Sequence, residues 1–137
     1  MTNVKGKWAL VTGANRGVGY RIAKFMASQG CNLILHSRSL DHTAAVLSEV
    51  KALGVEAYDV AAELSDPAQV QKMIDEINAR GKPVDILFND AAVQIAYRVD
   101  YYKTPVEDYA KSFYINTTSG IRNEPEQAGY SASKAAL

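Results

Sequence analysis

The sequence is poor in the residues that build metal clusters and disulfide frameworks. It holds one cysteine, Cys31, and two histidines, His36 and His42. A single thiol excludes an internal disulfide, and two imidazoles beside it leave no Cys/His cluster for a metal. This cysteine usage fits a reducing compartment, so a cytoplasmic location is expected. An excess of charge is also lacking, because 15 basic residues are balanced by 15 acidic ones. No overall field therefore recruits nucleic acid or an anionic membrane surface. No apolar run approaches membrane-spanning length, and the stretch from Met1 to Trp8 lacks the apolar region of a signal peptide. With nucleic acid, membrane and metal set aside, a small-molecule partner is the better expectation.

What is present suffices for one globular domain with a core: 137 residues, of which 47% are hydrophobic and 22% charged. Short apolar runs alternate with segments of helical period, which is the pattern of consecutive βαβ units. Strands are expected at Trp8 to Val11, Asn32 to His36, Val55 to Tyr58 and Asp85 to Phe88. Between them, Val18, Ile22, Phe25 and Met26 recur at helical spacing and Gly30 closes the first helix. Ser39 is the expected N-cap of the second, with Val46, Val50 and Leu53 on one stripe and Gly54 at the end. Ser65 or Asp66 caps the third, Pro67 sits in its first turn, and Val70, Met73, Ile74 and Ile77 share a face before Gly81. The pattern predicts an α/β doubly wound parallel sheet. A further helix is expected from the capping box Thr104-Pro105-Val106-Glu107, running through Tyr109, Phe113 and Asn116.

Directly after the first strand stands Thr12-Gly13-Ala14-Asn15-Arg16-Gly17-Val18-Gly19, opening the first helix. Glycines let a backbone turn sharply and come close to a pyrophosphate, and a helix N-terminus offers it free N–H groups. An ordinary βα turn punctuated by glycine is the alternative. A Walker-type phosphate loop is excluded, because Gly19 is followed by Tyr20 where that motif needs Lys and then Ser or Thr. At the end of the second strand an acidic residue would accept from a ribose 2′-OH and repel a 2′-phosphate. Here Leu35-His36-Ser37-Arg38 stands instead. Arg38, and Arg16 within the glycine turn, can pair with a phosphate, so NADP(H) is expected in preference to NAD(H). The alternative for both arginines is a solvated surface position.

Near the C-terminus, Tyr130 and Lys134 lie four apart in the alanine-rich segment Gly129 to Leu137 and would share a helical face. A free phenol has a pKa near 10, and a neighbouring ammonium favours its phenolate. Such a pair can tune a tyrosine for acid–base work.

Together, the Thr12-Gly13-x-x-x-Gly17-x-Gly19 spacing, Glu63-Leu64 after the third strand, Asn89-Asp90-Ala91-Ala92 after the fourth, and Tyr130-x-x-x-Lys134 resemble the short-chain dehydrogenase/reductase family. Two residues of the fourth-strand turn depart from that family's Asn-Asn-Ala-Gly: Asp90 adds a charge and Ala92 restricts the backbone. The resemblance implies one Rossmann-like NAD(P)-binding domain over 1–137, with three layers, α/β/α. It implies cofactor contacts from Gly13, Asn15, Arg16, Gly17, Val18, Gly19, Ser37, Arg38, Glu63, Leu64, Asn89 and Ala91, joined by Tyr130 and Lys134. It further implies hydride exchange between nicotinamide and a carbonyl or alcohol substrate. Tyr130 would be the acid/base, Lys134 its tuner and ribose ligand, and Asn116 a support of the proton path. Family members commonly assemble as homodimers or homotetramers.

Tyr130 follows Asn116 too closely for the rest of a helix, a strand and an active-site loop to intervene. Asn116-Thr117-Thr118-Ser119 fits either of two places, as helix or as the strand end whose Ser119 would polarise the substrate oxygen. One expectation covers both: a junction near 119–122 at which family residues are missing, with the family's later strands missing after Leu137. Two functions follow, an oxidoreductase or a nicotinamide-nucleotide-binding protein without turnover.

Overall fold

The computed structural model describes residues 3–92, 105–108 and 115, and the chain divides into two compact units, Met1–Asp90 and Ala91–Leu137. The first unit carries β1 (Trp8–Thr12), α1 (Gly17–Ser28), β2 (Asn32–Ser37), a 3₁₀ turn (Leu40–His42), α2 (Ala44–Lys51), β3 (Ala57–Ala61), α3 (Pro67–Ala79) and β4 (Ile86–Phe88). The four strands form one sheet in the order β3-β2-β1-β4, all neighbours parallel. Val11 pairs with Leu35 on one side and with Phe88 on the other. This is the doubly wound α/β architecture expected of the sequence.

Alternation along the strands divides the core between the two faces of the sheet. Ala9, Val11, Leu33, Leu35 and Ala57 pack with Ala23, Met26 and Ala27 of α1 and with Val46 and Val50 of α2. Trp8, Leu10, Ile34 and Val60 pack with Met73 and Ile77 of α3. Helices thus cover both faces, and the three layers of the first unit follow. At the far end of the sheet from the glycine turn, Asp85 fixes β4 to β1: its carboxylate accepts from the Trp8 amide at 2.8 Å and its own amide donates to the Trp8 carbonyl at 2.9 Å.

Several local expectations are corrected. The third strand runs from Ala57 to Ala61 rather than from Val55, which is half-buried in the connection beneath the first core cluster. On α1, Val18 and Phe25 are exposed, 62% and 58%, and the buried stripe is Gly19, Ala23, Met26 and Ala27. Small residues face the sheet there because the helix passes close to it, which leaves bulkier apolar neighbours outside. Leu53 and Ile74 are likewise exposed. Ser39 precedes the 3₁₀ turn and makes no side-chain cap; α2 starts only after Thr43, whose hydroxyl donates to Asp59 Oδ2 at 2.8 Å. Asp66, not Ser65, caps α3, accepting from the amides of Ala68 and Gln69, with Pro67 in the first turn as expected. In the second unit, residues 106–108 are helical after Pro105, and the rest of the helix expected there lies outside the described residues except for a helical, buried Ile115.

Candidate cofactor site

From β1 the chain moves outward through β2 to β3 and then returns to lay β4 on the other side of β1. The strand order thus reverses between β1 and β4, and open parallel sheets bind ligands at the C-terminal ends of the strands beside such a reversal. The glycine turn follows β1, Ser37 and Arg38 stand at the end of β2, Glu63 and Leu64 follow β3, and Asn89 follows β4. The topology brings all of these segments to one edge.

Within the turn, Gly13 and Gly17 hold φ angles of +69° and +60°, in the left-handed region that side chains disfavour. Gly19 is required for a different reason. A Cβ there would collide with the Gly13 carbonyl oxygen and lie 2.8 Å from Asp90 Oδ2, so the first turn of α1 rests directly on the loop that precedes it. Arg16 is the N-cap of α1 and gives no side-chain cap. The first-turn amides have no intrahelical acceptor and carry the positive end of the helix dipole, a donor set suited to a phosphate.

The amides just before them are already committed. Gly13 N–H donates to His36 Nδ1 at 3.3 Å, and Ala14 N–H donates to the His36 carbonyl at 2.9 Å. His36 Nε2 lies 3.0 Å from the Ala62 carbonyl oxygen. Burial pushes this imidazole below its ordinary pKa, against the opposing pull of the Ala62 carbonyl and the Glu63 charge. Thr12 ties the turn to β4: its hydroxyl donates to the Phe88 carbonyl at 3.2 Å and accepts from the Asp90 amide at 3.1 Å.

The remaining expected residues differ in what they present. Ser37 is buried, and its hydroxyl is engaged with the backbone of Ser39. Arg16 and Arg38 are exposed, and neither makes an ion pair among the described residues. The Glu63 carboxylate accepts from the Ser65 amide and hydroxyl, shaping the turn into α3, and Leu64 packs half-buried against the second core cluster. Asn15, Asn89 and Ala91 are half-buried, while Val18 is exposed. Asn116, Ser119, Tyr130 and Lys134 lie outside the described residues, as does the junction near 119–122. Sequence reading missed His36 as a site residue. Its signal was a histidine directly after the aliphatic run Leu33 to Leu35 of a strand.

These residues fit a dinucleotide phosphate. Gly19 lets the first turn of α1 close against the Gly13 carbonyl, the first-turn amides are left without intrahelical acceptors, and two guanidinium groups stand exposed nearby in sequence on the β1–α1 and β2 connections. Among the described residues there is no His/Cys/Asp/Glu group able to hold a metal, and no helix long and apolar enough to cross a membrane.

Comparison with known proteins agrees with the geometry. The sequence model of the family described as short chain dehydrogenase matches residues 7–123. The 3-oxoacyl-[acyl-carrier-protein] reductase FabG of Staphylococcus epidermidis is 40% identical over 88 residues, which is 64% of this chain and 36% of that protein. The NADP-bound structure of a 3-oxoacyl (acyl-carrier-protein) reductase from Agrobacterium tumefaciens C58 superposes with a TM-score of 0.74 at 31% identity, covering 97% of this chain and 49% of that one. An NAD+-bound xylitol dehydrogenase superposes at 0.78 with 24% identity, covering 98% and 62%, a likeness of fold. The chain thus spans about a third of the length of the curated relative and about half of the NADP-bound structure.

Proposed function

The chain belongs to the short-chain dehydrogenase family, and from that membership we propose that it binds NADP(H) in preference to NAD(H) and serves hydride exchange with a carbonyl or alcohol substrate. The observation that carries this reading is the glycine turn after β1, with Gly19 seated on the Gly13 carbonyl beside the point where the strand order reverses. The bound nicotinamide supplies or accepts the hydride.

The chain's own residues do the rest. First-turn amides of α1, from Gly17 to Gly19, receive the pyrophosphate, with Gly13 and Asn15 shaping the turn. Arg16 and Arg38 take the 2′-phosphate that distinguishes NADP(H), beside Ser37 and Val18. Glu63, Leu64, Asn89 and Ala91 border the adenosine and nicotinamide halves. Tyr130 moves a proton to or from the substrate oxygen at its hydroxyl, and Lys134 favours the phenolate and holds the nicotinamide ribose. Asn116 supports the proton path, and Ser119 donates to the substrate oxygen. The NADP in the Agrobacterium reductase supports the cofactor preference. The same reading treats 1–137 as one nucleotide-binding domain of a cytoplasmic homodimer or homotetramer acting on a small carbonyl compound.

A second reading is a nicotinamide-nucleotide-binding protein without turnover, supported by the glycine turn, whose chemistry serves nucleotide binding alone. Fluorescence titration with NADPH and NADH, followed by NADPH oxidation across a panel of carbonyl compounds, separates the two. Tighter binding of NADPH, with turnover lost in Tyr130→Phe, is expected. Binding without turnover leaves the second reading, and tighter binding of NADH removes the cofactor preference.

A further inference from the structure

His36 joins three segments at the C-terminal edge of the sheet. The residue is the penultimate one of β2 and is 2% exposed. Its Nδ1 accepts from the Gly13 amide, its Nε2 faces the Ala62 carbonyl after β3, and its backbone carbonyl accepts from the Ala14 amide. An amide only donates and a carbonyl only accepts, so one form of the ring satisfies both partners: neutral, with its proton on Nε2. Two consecutive amides of the glycine turn are thereby pinned to one residue. We propose that His36 is a positioning residue that holds the glycine turn in the shape that receives nucleotide phosphate, and that protonation of its ring releases the turn.

A protonated ring presents an N–H at Nδ1, where the Gly13 amide already points its own proton. Donor then faces donor, and the bond is replaced by repulsion. Burial favours the neutral ring, so release sets in below the ordinary imidazole pKa of 6.5. The charged groups on the segments around the ring are Asp59 on β3, engaged by Thr43; Glu63 after β3, engaged by Ser65; Asp90 beside Gly19; and the exposed Arg16 and Arg38. Glu63 acts on the imidazole in favour of protonation, and desolvation outweighs it.

The effect on nucleotide affinity rests on the cofactor reading above; the effect on the turn does not, and the test keeps them apart. Amide protection of Gly13 is measured by NMR hydrogen exchange on the full chain, corrected for intrinsic exchange, and NADPH affinity is measured in parallel. In His36→Phe, Gly13 protection and NADPH affinity should each fall about fivefold or more, the equivalent of one net hydrogen bond, with Leu33 to Leu35 still protected. His36→Asn places an acceptor oxygen where Nδ1 stands and should retain most of the protection. His36→Gln keeps a donor toward Ala62 alone and should behave like His36→Phe. Should His36→Phe not fold, the Asn and Gln variants and an acid titration of the unmodified chain decide. Its Gly13 protection should fall with pH below 6.5, whereas that of His36→Asn stays level. Gly13 protection indifferent to both substitution and pH overturns the inference. Protection that depends on His36 in a chain that binds neither nucleotide upholds the positioning role and removes the cofactor reading instead.

Discussion

Thr12 Oγ1 and the Asp90 amide meet at 3.1 Å, joining the last residue of β1 to the loop after β4 across the point where the sheet changes direction. The same hydroxyl donates to the Phe88 carbonyl, so one side chain satisfies an acceptor of β4 and a donor of the loop that follows it. Thr12→Val keeps the shape and removes both bonds. Stability should fall by about 1–3 kcal/mol, the cost of leaving buried polar groups unpaired, while Thr12→Ser should stay close to the parent. Urea denaturation checks this, and a Val variant as stable as the Ser variant refutes it.

Gly19 and Gly17 are glycines for different reasons, and the difference is measurable. Gly19→Ala drives a Cβ into the Gly13 carbonyl, a backbone atom that cannot swing aside. The overpacking should cost about 1–3 kcal/mol, and NADPH affinity should fall with it, because the turn must move to make room. Gly17→Ala meets nothing within 4 Å but holds φ at +60°. Its cost is conformational, about 1–2 kcal/mol, and nucleotide affinity should suffer less. Thermal melts and NADPH titrations of the two variants, compared side by side, test the ordering; equal losses of affinity would contradict it.

The fold was legible in the sequence wherever a pattern is enforced by the backbone's own period. Strand positions Ala9 and Val11 against Trp8 and Leu10, and helix ends marked by Gly30, Gly54 and Gly81, follow from alternation and termination alone. Helix α1 was misread on its buried stripe because apolar periodicity weights bulk, whereas close approach to a sheet selects Gly19, Ala23 and Ala27. The same limit hid His36. Its role depends on Gly13 and Ala62, which lie far from it in sequence and meet it only when β1, β2 and β3 are in register. Ser37 was readable as a candidate, but not that its hydroxyl would be taken up by Ser39. The sharp turn itself was readable from Gly13 and Gly17, whose positive φ angles are a local demand, but the distant partners of the turn, His36 and Asp90, were not.

Arg38 should decide between the two nicotinamide cofactors. It is exposed at the end of β2 without an ion-pair partner among the described residues. Arg38→Ala should weaken NADPH binding about tenfold, consistent with the loss of a charge-assisted bond to phosphate, and leave NADH binding nearly unchanged. Arg38→Asp should go further and reverse the preference, because a carboxylate accepts from a ribose 2′-OH and repels a 2′-phosphate. Added salt should weaken NADPH binding to the unmodified chain more than to Arg38→Ala, since the screened pair is missing there. Titrations of both nucleotides at two ionic strengths test all three expectations, and parallel losses for NADPH and NADH would remove Arg38 from specificity.

Asp66 links the stability of α3 to pH. Its carboxylate accepts from the Gln69 side chain and from the amides of Ala68 and Gln69. The Gln69 bond first, and then the Ala68 amide, hold its pKa below the ordinary value of 3.8. A carboxyl whose pKa is lowered by folding stabilises the fold above its unfolded pKa, and that contribution disappears as the pH falls through the lowered value. Asp66→Ala should therefore lower the melting temperature at neutral pH, where the cap is fully ionised, and the deficit should narrow as the pH drops below 3.8. Asp66→Asn keeps an oxygen for the helix amides and gives up only the charge at the positive end of the dipole. It should lie between the other two at neutral pH and show a shallower acid dependence than the parent. An Asp66→Ala deficit that is the same at pH 7 and pH 3 would show that the cap acts without its charge.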